Sequence, residues 1–155
     1  LLFMHRMSQI TNIHLVHDTE NDDQLHEYEG VPDGVEIFEI NGPFFFGAAD
    51  KFRETLASFK KLPKVLILRM SAVPAIDATA VSALEILIDS AAGAGTQVIF
   101  AGVNKRVFKV IDKAGVTKKI GRENIFSDVQ LALAHSLSVL KTPSRSGRQQ
   151  NNEES

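Results

Sequence analysis

Residues 64–91 read KVLILRMSAVPAIDATAVSALEILIDSA, and the change of period within them decides the fold class. Val65, Leu66, Ile67 and Leu68 form an unbroken apolar run, the pattern of a strand covered on both faces. From Val81 onward, Leu84, Leu87, Ile88 and Ala91 recur at helical spacing, so an amphipathic helix follows. Between them lies a short loop, 71–77. Strand, loop, helix is the grammar of an α/β protein.

Working outward, the alternation repeats. Gly93-Ala94-Gly95 stops the helix, and Gln97-Val98-Ile99-Phe100-Ala101 is a second buried strand. Val107, Val110, Ile111 and Ala114 predict another helix, ended by Gly115 where a helix terminus favours a left-handed residue. Ile125-Phe126 is at most a short strand. Ser127-x-x-Gln130 predicts a capping box for a last helix through Val129, Leu133, Leu137 and Leu140. Upstream, Val35-Glu36-Ile37-Phe38-Glu39-Ile40 reads as a strand. Asn41-Gly42 is then a strong hairpin signal, with Pro43-Phe44-Phe45-Phe46 as the returning strand. Phe52, Leu56 and Phe59 follow at helical spacing. The expectation is an α/β fold: a mixed sheet that opens with a β-hairpin, later strands parallel, flanked by about four helices.

The 155 residues carry 17 Lys and Arg against 19 Asp and Glu, a net charge of −2. That length suits one domain able to bury about 70% of its unfolded surface. Charge is uneven, however. Residues 1–34 hold one base and seven acids, whereas 35–140 hold 13 bases and 10 acids. Residues 12–34 therefore read as an N-terminal strand, around Ile13, Leu15 and Val16, followed by an acidic linker. Residues 35–140 are the packed domain, and the polar stretch 141–155 is expected to be a disordered tail.

Composition also excludes chemistry. There is no Cys, so disulfides, thiolate nucleophiles and Cys-based metal sites are out. A near-neutral balance makes no case for nucleic acid. No apolar run approaches the ~20 residues of a membrane span, so this stretch by itself is expected to be soluble. Gly93-Ala94-Gly95 runs from helix into strand, the reverse of a phosphate loop, and Val98 stands where a third glycine is needed. His5, His14, His17 and His26 lie among carboxylates, but His14 and His17 are three apart in a strand and point to opposite faces. Neither paired carboxylates nor a nucleophile–base pair emerges from spacing. No enzyme, no metal and no cofactor are expected.

Loops 71–77 and 102–104 follow buried strands and open helices, the position where α/β sheets place function. Asp77 is a natural N-cap, Thr79 sits in the first helical turn, and a phosphate on Thr79 would meet backbone donors and a favourable dipole. Asn104 is a second N-cap, with Lys105 and Arg106 behind it. The candidate contact face is Asp77, Ala78, Thr79, Ala80, Asn104 and Lys105.

These residues resemble a family. Val73-x-x-Ile76-Asp77-Ala78-Thr79-Ala80-x-x-Ala83-Leu84 and Val98-Ile99-Phe100-Ala101-Gly102-Val103-Asn104 look like a STAS domain, over about residues 10–140. STAS domains form anti-sigma-factor antagonists and the cytoplasmic ends of SulP-type sulfate/anion permeases. Residues 1–11, LLFMHRMSQIT, resemble the segment where a permease's last membrane helix exits, and 36–46 resembles the permease version of the opening hairpin. The family usually has Gly after the Ser/Thr; here Ala80 stands there. The resemblance implies a non-catalytic regulatory domain of a secondary sulfate or anion transporter, on the cytoplasmic face of the inner or plasma membrane. Its partners would be the transmembrane transport domain of the same polypeptide, a soluble regulator or a second copy. One alternative is a free-standing antagonist switched by phosphorylation at Thr79, and a second is a module binding GTP or ATP.

Overall fold

The computed structural model describes residues 12–15 and 31–141. The readings of 1–11 as a membrane exit, of the linker acids before residue 31, of His5, His17 and His26, and of the tail past Lys141 lie outside the described residues. Five strands form one sheet: β1 (Asn12–Leu15), β2 (Val35–Asn41), β3 (Val65–Ala72), β4 (Gln97–Ala101) and β5 (Ile125–Phe126). They lie side by side in chain order. β2 through β5 run parallel, and β1 pairs antiparallel with β2.

Among the described residues, five α-helices accompany them: α1 (Phe46–Ala57), α2 (Ala78–Ala94), α3 (Lys105–Lys113), α4 (Val116–Ile120) and α5 (Val129–Lys141). A 3-10 turn, Arg122–Asn124, leads into β5. Because the strand order never reverses, right-handed crossovers put every connecting helix on the same face. α1 to α4 accordingly share one core with Phe38, Ile40, Leu66, Leu68, Met70 and Phe100. The alternate residues Val35, Ile37, Val65, Ile67 and Ile99 face the other way, where among the described helices α5 covers them through Val129, Ala132 and Leu133. That is why β3 reads as a continuous apolar run: both its faces are buried.

Three expectations need correction. The hairpin at Asn41-Gly42 does not form. A type I′ turn needs positive φ at both central residues. Gly42 has φ +108°, but among the described residues no non-glycine is in that region. The chain bends there rather than reversing. Gly42 N donates to Ala72 O and Phe44 forms a parallel bridge to Ile76, so this stretch prolongs the β2–β3 ladder. The antiparallel opening comes instead from β1, with Asn12 opposite Asn41 and Leu15 opposite Phe38.

Of the three phenylalanines, Phe44 alone is buried, edge-on to Phe52 at 5.4 Å, while Phe46 already begins α1. The predicted returning strand is therefore a bridge and a helix start. In α5 the cap is one residue later than the Ser127 box: Asp128 accepts from Leu131 N at 2.9 Å. The buried stripe of α5 runs through Val129, Ala132, Leu133 and Ser136 and leaves Leu137 44% exposed. Finally, Gly115 does end α3, but the chain enters another short helix, α4, that periodicity over five residues could not reveal.

Candidate functional site

The parallel strands β2, β3 and β4 lead directly into α1, α2 and α3, which all start from one edge of the sheet. Loop 73–77 joins β3 to α2, and residues 102–104 join β4 to α3. Asp77 caps α2 as its sequence position predicts: Oδ1 accepts from Ala80 N at 2.9 Å. Its second oxygen does something no local reading contains. Oδ2 accepts from Phe46 N at 3.1 Å, the first residue of α1. The N-cap position of α1 is Phe45, which has no side-chain acceptor to offer. One carboxylate thus serves the N-termini of two helices.

The pairing is held by the backbone. Phe44 N donates to Ala75 O, and Asp77 N to Phe44 O, so residues 42–46 are zipped along 72–77 before either helix starts. Asn104 repeats the device for α3. Its Oδ1 accepts from Val107 N at 2.8 Å, and its Nδ2 donates to Val73 O at 2.8 Å. A cap amide therefore fastens the β4 loop to the β3 loop. Gly102, within that loop, has φ +77°, and a Cβ on it would lie 2.1 Å from Ser71 Oγ, so only glycine fits.

Three helix N-termini are in this way locked into one edge by two side chains. Ala78, Asn104 and Lys105 are exposed on it, and Thr79 is half-buried. Among the described residues the Thr79 hydroxyl has no hydrogen-bond partner, so it is not spent on structure. Ala80 is the exception among the predicted face residues. It is buried in the larger core, and its Cβ serves packing while its N–H serves the cap. Two residues that sequence reasoning missed join the edge: Phe45 and Phe46, 45% and 65% exposed. Their run of aromatics suggested a strand, and only the helix start at Phe46 turns them to solvent.

Ligand crevices in open α/β sheets form where the strand order reverses and neighbouring crossovers part to opposite faces. Here the order is monotonic, so the loops crowd together instead. Among the described residues no three His, Asp or Glu side chains are placed to hold a metal ion, and no helix is long and apolar enough to cross a membrane.

Four parallel strands after an antiparallel edge strand, with all crossover helices on one face, define the class of α/β domain to which this molecule conforms. The STAS domain family model matches residues 29–132, and the chain belongs to that family. Its relatives include "Putative sulfate transporter YvdB" of Bacillus subtilis, 29% identical over 127 residues, covering 81% of this chain and 23% of that protein. Among solved structures, a sulfate transporter family protein from Wolinella succinogenes is 38% identical with a TM-score of 0.70, over 81% of this chain and 99% of that one. The SulP transporter STAS domain from Vibrio cholerae is 34% identical with a TM-score of 0.63, over 75% and 91%. The fold, though not more, is shared with an anti-sigma factor antagonist of Thermotoga maritima, 17% identical with a TM-score of 0.57 over 68% and 89%. The chain spans less than a quarter of the curated relative from Bacillus.

Proposed function

We propose that this chain is the non-catalytic regulatory domain of a secondary sulfate or inorganic-anion transporter, lying at the cytoplasmic face of the membrane. It would act through the edge where α1, α2 and α3 begin, as the contact face for the transport domain of the same polypeptide. One observation carries the reading: Asp77 and Asn104 fasten three helix N-termini into a single rigid surface, on the edge where the chain enters the domain. β1 starts there, since Asn12 lies opposite Asn41. A segment arriving from a membrane domain would therefore reach this edge first. Kinship with SulP-type transporters supports the assignment.

Nucleotide binding is disfavoured by the same geometry. Asp77 already fills the donors at Phe46 N and Ala80 N and puts a negative charge where a phosphate would sit. Titration calorimetry with GTP and ATP should give no binding heat, and saturable heat would reopen that reading.

The function is tested by Thr79→Glu and Lys105→Glu in the reconstituted transporter. The new carboxylate at Thr79 lies in the first turn of α2, where the dipole tolerates it, so folding should survive. Anion flux should change while the amount of folded protein in the membrane does not. Flux unchanged in both variants would leave the edge with a structural role alone.

A further inference from the structure

The cations of the described residues fall into two kinds. Arg53, Arg69, Lys119 and Arg122 each face a carboxylate, at 3.0, 3.4, 3.0 and 3.5 Å. The other described cations have no ion-pair partner among the described residues, and four of them, Lys105, Arg106, Lys109 and Lys113, are gathered on one helix. All four lie on α3, whose buried side is Val107 and Ile111. At 3.6 residues per turn they occupy a stripe about 100° wide on the opposite side. The one acid of α3, Asp112, stands at the stripe's margin and is engaged: it accepts from Thr117 Oγ1 at 2.6 Å and faces Arg122 at 3.5 Å. Val110, 37% exposed, runs along the other margin.

We propose that the outer face of α3 docks on anionic phospholipid headgroups, with Lys105, Arg106, Lys109 and Lys113 meeting phosphates and Val110 at the apolar boundary. This rests on the transporter reading in one respect, that the domain is held within reach of a bilayer. Three features favour a lipid surface. The stripe lies on the outer side of a helix and repeats along about 13 Å of it. Three of its four cations are lysines, flexible point charges suited to a diffuse array of phosphates rather than to one bidentate partner. And α3 starts from the edge at which β1 enters, so Lys105 and Arg106 lie on the side from which a membrane-borne segment arrives. The whole chain carries −2, so attraction to an anionic surface has to be local.

The test is cosedimentation of the 155-residue chain with vesicles of phosphatidylcholine alone, or of phosphatidylcholine with phosphatidylglycerol. Binding should require phosphatidylglycerol and disappear at high salt, as screening removes it. Each Lys or Arg near an anionic leaflet changes partitioning about five-fold, so Arg106→Gln with Lys109→Gln should weaken it about twenty-five-fold. Arg106→Glu with Lys109→Glu should weaken it further. Lys60→Glu with Lys61→Glu makes the same change in net charge away from α3 and should leave partitioning intact, with circular dichroism confirming the fold of every variant. Equal sedimentation with both vesicle types, none with either, or equal loss from the Lys60/Lys61 pair overturns the proposal. So does preferential capture of soluble polyglutamate, which would make α3 a protein-docking surface. Vesicle binding uses the isolated chain and flux uses the transporter, so either reading can fail while the other stands.

Discussion

Asp77 does more than an N-cap usually does. A single cap is worth about 0.5–2 kcal/mol. Because its two oxygens serve Ala80 N and Phe46 N, Asp77→Ala should cost about 2 kcal/mol, the top of the single-cap range, in urea denaturation. A loss no greater than that of Asp128→Ala, which caps α5 alone, would show that the bond to α1 contributes nothing. Gly102 makes a sharper case. Gly102→Ala should destabilise by more than about 1 kcal/mol through its positive φ and the collision with Ser71. Ser71→Ala in that background should recover part of the loss, measured as a double-mutant cycle. At this scale the sequence was legible wherever the partner is close by. Asp77 to Ala80 and Asn104 to Val107 span three residues and follow from cap preference. Asp77 to Phe46 and Asn104 to Val73 each span 31 residues and exist only once the sheet has brought the loops together.

Elements follow the same division between local and tertiary causes. β3, α2 and β4 were readable because burial on both faces, or a single buried stripe, writes its period directly into the chain. Leu66→Ala and Leu84→Ala, both fully buried in the larger core, should each cost about 2–5 kcal/mol. Losses under about 0.5 kcal/mol at both sites, the scale of surface changes, would contradict the arrangement. Residues 41–46 were misread because Asn-Gly and a run of Phe are both strong β signals, whereas a neighbouring strand, β1, had already claimed the antiparallel place on β2. In α5, the buried stripe turns through Ala132, Leu133 and Ser136 and leaves Leu137 toward solvent. Leu137→Ala should therefore stay within about 0.5 kcal/mol of the parent, while Leu133→Ala, buried against the sheet, should lose at least about 2 kcal/mol.

For the whole molecule, the monotonic strand order has the largest consequence. It packs four of the described helices on one face and one on the other, offers no reversal of strand order at which a crevice would open, and gathers three helix N-termini on the edge where β1 begins. Alternating strands and helices told of the sheet, but strand order is a tertiary fact that periodicity does not encode. The central claim is that this edge is a contact face, and amide hydrogen exchange tests it most directly. Exchange at Gly47, Ala78, Thr79, Lys105 and Arg106 would be compared between the isolated chain and the full transporter to which the proposal assigns it. These first-turn amides should be slowed in the transporter, while those of α4, at the other end of α3, change little. Unchanged exchange along the edge, with new protection on some other surface, would contradict the account.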